Sequence, residues 1–528
     1  MTTEERGADA VHARTVLDRR DWAFLALFAA VAAALCLYKL DERSIWLDEA
    51  VALRIAQTPD LRALLSDGGN MAAYYLFLKG WLGLGLGQSE WVARFPSVMF
   101  SAVGSALLYL LARRLFDRRV AFVAALLLTV NSSFVRYGQE ARSYALELMI
   151  VTAGWLVLSV ALERRTVRWF LLWGLLSAVA VATHLLAVLI VAAQLASLLL
   201  LRLSKLPWKA LLAGLGVAAF ASAPVLVVAA RTGNVHIAWI PPMSIKAVRQ
   251  VLLFLGGNNF EPSSDWWPQT ISVLVLAILA VGWAAGLWIA VRTALRRGRS
   301  WQAWSCGVAA FWLIVPLAAA TAVSSVAQSL MVPRYFIALL PASSLLLALA
   351  VSHLQSSVLQ SMALGLLVIL GLSGVARSYG TEEWGWRQAV NYLQQAARPG
   401  DDVLIVPAHQ RMPLDYYVGR NPGPLLDYIS PRQRTWQPVE RSVFGVSEAF
   451  YWPSPPREAA LLAAQRHQFW LVITDFTRWD ASGRVTEAWG RAETFFQHLG
   501  PGFVVRSGRA FGPSGRVGVL LMESEPVP

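Results

Sequence analysis

The sequence predicts an all-α polytopic membrane domain of about eleven transmembrane helices, followed by a small water-facing α/β domain. Three observations predict it. Of the 528 residues, 56% are hydrophobic and 15% charged, and the mean hydropathy is +0.49. A soluble protein of this size could not cover so much apolar side chain with polar surface, so lipid must be part of its solvent. Apolar runs long enough to span recur from Trp22 onward and stop near Ser378, where the composition changes. Basic residues gather in alternate gaps between those runs, which is the positive-inside pattern. The formal net charge of +13 therefore has a topological source, and no nucleic-acid partner is expected.

Residues 1–21 form a polar tail carrying Arg14, Arg19 and Arg20. The first run, Trp22 to Leu40, has no A-x-A cleavage site after it and reads as a span. Ala33-Ala34-Leu35-Cys36 fails as a lipoprotein box because Leu35 is bulky. The spans are expected near 22–40, 91–112, 120–135, 143–162, 168–183, 185–201, 208–229, 269–291, 303–325, 335–351 and 358–376. Arg113, Arg114, Arg118 and Arg119 fill one gap; Arg164, Arg165 and Arg168, then Arg202, Lys205 and Lys209, then Arg292, Arg296, Arg297 and Arg299 fill others on the same side as the tail. That side is the cytoplasm. The segment Met71 to Gly87 is tempting as a further span, but crossing there would invert every later basic cluster. It is expected instead as an amphipathic helix on the outer membrane surface.

This topology gives a membrane domain over 22–376 with an outer loop at 41–90, and an extracytoplasmic α/β domain over 377–528. Other outward segments are 136–142, a turn at His184, the stretch 230–268 with His236, Pro241-Pro242 and Asn258-Asn259, and 326–334. In the C-terminal region, Trp386 to Ala397 reads as a helix and Pro399-Gly400-Asp401 as a turn. Val403 to Pro407 and Phe469 to Thr474 read as strands, Ala488 to Leu499 as a helix, and Phe503 to Arg506 with Val517 to Met522 as a strand pair. No GxGxxG loop suggests a nucleotide there. Cys36 and Cys306 both fall in spans, so the outer domain has no disulfide framework, and no CxxC or His-rich metal cluster appears.

Several outward residues could carry chemistry. Ser44-Ile45-Trp46-Leu47-Asp48-Glu49-Ala50 places two carboxylates just beyond the first span, although an acidic pair behind an interfacial Trp is common in solvated loops. Trp91-Val92-Ala93-Arg94-Phe95-Pro96-Ser97 opens the second span, and Arg94 could snorkel to headgroups or fork onto a phosphate. In Arg136-Tyr137-Gly138-Gln139-Glu140-Ala141-Arg142-Ser143-Tyr144, helical spacing would put Glu140, Tyr144 and Glu147 on one face. Glu147 at membrane depth needs a cavity or a partner, and an internal arginine is the bland candidate. His184, and Arg334-Tyr335 at the tenth span, are each weak alone.

Together these pieces resemble the C-fold (GT-C) membrane glycosyltransferases. The closest group is the bacterial relatives of protein O-mannosyltransferases and of the lipid A aminoarabinose and galacturonic acid transferases (glycosyltransferase family 39-like). The resemblance rests on Trp46-Leu47-Asp48-Glu49-Ala50, Tyr74-Tyr75-Leu76, Ser89 to Ser97, Tyr137 to Leu146, Pro333-Arg334-Tyr335-Phe336 and Trp386-Arg387, and covers about residues 20–400. Many relatives carry His-Pro-Pro or Asn-Pro-Pro before the Tyr-Tyr pair; here the run is Asn70-Met71-Ala72-Ala73.

The resemblance implies transfer of a sugar from a polyprenyl-phosphate donor to an acceptor hydroxyl, on the outer side of a plasma (inner) membrane, with inversion. Asp48 would be the general base, with Glu49 the alternative. Arg94, Arg142 and Arg334 would bind the donor phosphate. Glu140, Tyr74, Tyr75, Tyr144 and His184 would contact sugar or acceptor. The acceptor class (lipid, glycan or protein) stays open. The sequence requires no cofactor; some relatives need a divalent cation and others do not, so the metal is an open question. A transporter or flippase of lipid-linked sugars is the alternative, for which matched broken helices would be the sign.

Overall fold

The computed structural model describes residues 17–58, 71–233, 237, 240–257, 266–380, 384–398, 401, 403–406, 410–420 and, with short gaps, 460–524. His236, Asn258, Asn259, Pro399, Gly400, Pro407, His409 and Asp475 lie outside these residues. In chain order the helices are α1 (Arg19–Leu37), α2 (Leu47–Gln57), α3 (Ala72–Leu82), α4 (Glu90–Leu115), α5 (Arg118–Thr129) and α6 (Ser132–Gly138). Next come α7 (Tyr144–Arg164), α8 (Val167–Thr183), α9 (Ala187–Ser197), α10 (Trp208–Thr232), α11 (Ile245–Leu255), α12 (Trp266–Arg297) and α13 (Trp301–Val326). A 3₁₀ segment, Pro333–Leu339, leads into α14 (Leu340–Ser352) and α15 (Ser357–Tyr379). The C-terminal region holds α16 (Trp386–Ala396), α17 (Arg411–Arg420), α18 (Gly490–Leu499) and strands β1 (Val403–Val406), β2 (Gln468–Thr474), β3 (Thr477–Trp479), β4 (Val485–Ala488), β5 (Phe503–Phe511) and β6 (Val517–Ser524).

Among the described residues, eight helical segments are long and apolar enough to cross a membrane, and the bent pair α5–α6 makes up to nine. Helices α8 and α9 are shorter apolar helices. Each apolar stretch expected from the sequence coincides with one of these segments. The chain is a multi-pass membrane protein.

Two compact units emerge. One comprises Met1–Tyr38, Gly69–Tyr74 and Arg94–Ser378; the other comprises Lys39–Gly68, Tyr75–Ala93 and Tyr379–Pro528. The described residues 39–58 and 75–93 thus group with the C-terminal region.

In the first unit, helix ends are fixed by side chains. Asp18 and Asp21 form a capping box at the start of α1. Buried Asp21 also accepts bonds from Tyr109 Oη (2.7 Å), Arg113 Nε (3.1 Å) and Arg118 Nε (3.0 Å), tying α1 to α4 and α5. Asn131 caps α6 by accepting from Ser133 N (2.9 Å) and Phe134 N (3.2 Å). A side chain that competes with the helical ladder in this way breaks it, and α5 and α6 meet at 61°. Helices α8 and α10 pack at a glycine crossing: a Cβ on Gly174 would collide with the Gly214 carbonyl. Gly174/Ala178 on α8 and Gly214/Ala218 on α10 are matched small-xxx-small pairs, which let two backbones approach in lipid. The tenth span starts as a 3₁₀ turn because Pro341 cannot donate a backbone bond to the turn before it.

In the second unit the sheet order is β1-β2-β6-β5, with β1–β2 parallel and the other pairings antiparallel. Alternate residues Phe469, Leu471 and Ile473 of β2 face one side, with Leu520 and Met522 of β6. They pack against Ala492, Phe495 and Leu499 of α18, which forms the small domain's core. Helix α18 starts at Gly490, later than the sequence implied, because Val485–Ala488 pairs with β3 as a hairpin. Strand β5 runs on to Phe511 past a register shift between Val505 and Ser507.

Candidate active site

The motif over 136–144 is built as a sharp connection between α6 and α7. Gly138 ends α6 where it touches Cys36 of α1 and Ser101 of α4; a Cβ there would lie 2.5 Å from Cys36 Sγ and 2.6 Å from Ser101 Oγ. Gln139 Nε2 donates to the carbonyls of Cys36 (3.1 Å) and Tyr38 (2.7 Å). Arg142 N bonds back to Glu140 O at 2.8 Å, and Ser97 Oγ donates to the same carbonyl at 2.6 Å. Glu140 therefore sits in a turn before α7. It does not share a helix face with Tyr144 and Glu147, as the spacing had suggested, because Gly138 and this turn interrupt the helix. Its buried carboxylate pairs with Arg136 at 3.0 Å.

Beyond that turn, an aromatic and basic cluster closes up within the first unit. Tyr137 and Tyr144 stack edge to face with centroids 5.0 Å apart, and Phe254 of α11 lies 5.7 Å from Tyr137. His184, the cap of α8, lies 6.1 Å from Tyr144 and 5.2 Å from Tyr335. Arg142 sits over Tyr144 at 5.8 Å and Arg334 over Tyr335 at 5.9 Å. Burial, and then the charges of Arg142 and Arg334, push the His184 imidazole down to a pKa of about 3, so it is neutral.

Glu147 finds His184 and not an arginine: Oε1 is 3.6 Å from Nδ1, longer than a hydrogen bond, and Oε2 has no hydrogen-bond partner. That carboxyl lines a small cavity of about 10 Å³ whose other walls include Leu186, Leu189, Ile190, Pro316 and Leu339. A deeply placed acid facing a cavity is the usual arrangement for a functional group at membrane depth.

Arg142, Tyr144, His184 and Arg334 are thus gathered into one cluster, and Tyr335 and Glu147 join them. Arg94 is 2% exposed and Tyr74 0%, so Arg94 does not snorkel to a surface. Both belong to the first unit. Asp48, Glu49 and Tyr75 belong to the second. Asp48 and Glu49 occupy the first turn of α2, where acidic groups complement the helix dipole; Glu49 is buried and Asp48 half-buried. Sequence reasoning placed them in a loop and missed both α2 and α11. The amphipathic spacing Val251, Phe254, Leu255 was the available signal for α11. Among the described residues, no three His, Cys, Asp or Glu side chains gather as metal ligands.

Residues 72–227 match the family model described as dolichyl-phosphate-mannose-protein mannosyltransferase. ArnT from Cupriavidus metallidurans in the apo state is similar in structure, with a TM-score of 0.56, 15% identity, and coverage of 94% of this chain and 98% of that one. The same protein bound to undecaprenyl phosphate gives 0.54, 15% identity, and coverage of 96% and 98%. The Archaeoglobus fulgidus oligosaccharyltransferase tethered to an acceptor peptide gives 0.51 and 13% identity over 75% of this chain and 63% of that one. No curated protein sequence matches the chain. The chain has the GT-C fold of ArnT, and a match to the mannosyltransferase family model over residues 72–227.

Proposed function

We propose that this chain is an integral membrane glycosyltransferase. It moves a sugar from a polyprenyl-phosphate donor to an acceptor hydroxyl on the outer side of the plasma membrane, with inversion at the anomeric carbon. One observation carries the reading: two arginines, Arg142 and Arg334, flank a buried neutral His184 between Tyr144 and Tyr335. Guanidinium groups match phosphate oxygens in a fork, and aromatic faces suit a sugar ring. The solved ArnT structure with undecaprenyl phosphate supports a lipid-phosphate donor.

The chemistry divides as follows. The acceptor hydroxyl is a weak nucleophile, and Asp48 takes its proton as the new glycosidic bond forms, with Glu49 orienting the pair. The bond from the anomeric carbon to the lipid phosphate breaks, and its electron pair leaves with the phosphate oxygen. Arg94, Arg142 and Arg334 stabilise the charge that grows there. Glu140, Tyr74, Tyr75, Tyr144 and His184 hold sugar or acceptor. The basic gaps support a cytoplasmic N-terminus and an outward C-terminal domain.

The test is transfer by purified protein in liposomes, using a panel of polyprenyl-phosphate sugars and a crude envelope acceptor fraction. Asp48→Asn keeps the shape and removes the base, and its kcat is expected to fall about 10²–10⁴-fold with donor binding retained. Transfer by Asp48→Asn at the wild-type rate refutes the mechanism. Movement of the donor between leaflets without transfer would refute the enzyme reading in favour of a transporter.

A further inference from the structure

We propose that Arg387, Glu90 and Tyr417 are positioning residues for Asp48, so that the C-terminal domain sets the geometry of the base. The inference rests on the role given to Asp48 above; the contacts it uses all lie within the second unit. Arg387, the second residue of α16, reaches three consecutive carbonyls. Its Nη2 donates to Asp41 O (2.5 Å) and Arg43 O (3.5 Å), and its Nη1 to Glu42 O (3.2 Å). Its Nε and Nη2 also donate to Glu90 Oε1 at 3.3 and 3.0 Å. The Arg387 amide bonds to Ser44 Oγ at 3.2 Å, and Ser44 Oγ donates to Gln388 Oε1 at 3.4 Å. The Ile45 amide donates to Tyr417 Oη at 2.7 Å, and Tyr417 donates onward to Glu90 Oε1 at 3.1 Å.

Residues 41 to 45 are therefore each held by α16 or α17. Trp46 then caps α2, and Asp48 follows in its first turn. Helix α17 also packs on α2 itself, with Arg54 of α2 in the field of Asp415 and Arg411. Glu90 is 3% exposed and Ile45 0%, so water does not compete for the two Tyr417 bonds, whereas the Asp41 and Glu42 carbonyls are exposed. Only a guanidinium offers donors enough, in a fixed fork, to join three carbonyls and a carboxylate. A general base must be held to a fraction of an ångström, and a 1 Å misplacement from a remote change costs about 10²-fold in rate. Such a clamp also gives the C-terminal domain a part in the reaction without contact with the reacting atoms.

The experiment compares full-length wild type, Tyr417→Phe, Arg387→Ala and Arg387→Lys in liposomes. It reads kcat and donor KM, together with amide hydrogen exchange over residues 45–50 and the melting temperature. Tyr417→Phe removes one hydroxyl and keeps the packing, so it remains informative if Arg387→Ala fails to fold. Exchange at Ile45 is expected to rise about tenfold or more in Tyr417→Phe. We expect kcat to fall about 10–100-fold with donor KM within about twofold, and Arg387→Lys to recover part of the loss. Faster exchange with wild-type kcat overturns the positioning role, and unchanged exchange overturns the clamp. If wild type transfers no sugar, the transferase reading fails, while the exchange arm still decides whether the clamp exists.

Discussion

Replacing Gly138 by Ala tests whether the motif turn depends on close approach of three helices. The backbone at Gly138 is not in the left-handed region, and alanine there, at the end of α6, would by itself favour the helix by about 1 kcal/mol. The added Cβ, however, lies 2.5 Å from Cys36 Sγ and 2.6 Å from Ser101 Oγ. That is roughly 1 Å inside the ~3.5 Å at which atoms pack well. Both neighbours are buried, so something must shift, and overpacking of this kind costs about 1–3 kcal/mol. The sign of the net effect therefore separates the two contributions. Because Gln139, Glu140 and Arg142 follow directly, the displacement should also lower sugar transfer by about 10²-fold. Apparent melting temperature in detergent and transfer in liposomes would be measured for Gly138→Ala and for the triple variant adding Cys36→Ala and Ser101→Ala. The triple variant makes room and should recover most of both losses, with a coupling of about 0.5–3 kcal/mol. A Gly138→Ala protein more stable than wild type, or a triple variant with no recovery, would sink the reasoning.

Two further outcomes are expected. His184 has its pKa lowered from 6.5 to about 3, by burial first and then by Arg142 and Arg334, so it stays neutral as pH falls from 8 to 5. The pH profile of kcat/KM should then lack an inflection from His184, and one near 6.5 that vanishes in His184→Asn would contradict the assignment. Gly174→Leu should destabilise the protein by about 3 kcal/mol or more, because its side chain meets the Gly214 backbone, which cannot rotate away. Thermal unfolding in detergent measures this, and an unchanged midpoint would mean that α8 and α10 do not cross there.

What was legible in the sequence was local. Apolar runs from Trp22 to Ser378 are helices because lipid-facing backbone must satisfy its own hydrogen bonds. Strand β2 could be read from Phe469 to Thr474 because every residue there is apolar or β-branched. The basic and aromatic residues that gather around His184 were visible as motifs, but their grouping was not. Tyr144 and Tyr335 are far apart in the chain, and only the folding of α7, α8 and the 3₁₀ turn brings their rings to one histidine. The break at Asn131 was missed because an apolar run hides a capping side chain within it. Helix α2 is hidden in the sequence because Asp48 and Glu49 are as common in turns as at helix N-termini. The attachment of residues 41–45 to α16 and α17 depends on single hydrogen bonds across more than three hundred residues of chain, for which no sequence period exists.

The brevity of α8 and α9 has a consequence for the membrane around them. At about 1.5 Å per residue, the 17 residues of α8 reach only about 26 Å, and α9 with its 3₁₀ extension falls shorter still, against a hydrocarbon thickness of about 30 Å. The turn that joins them carries His184. A hairpin of this length either dimples the bilayer or leaves its tip sunk below the headgroup plane. In both cases the distance that the proposed lipid-phosphate donor would travel to reach that tip depends on acyl-chain length. The thickness of the host membrane would thereby be a variable of the proposed site itself.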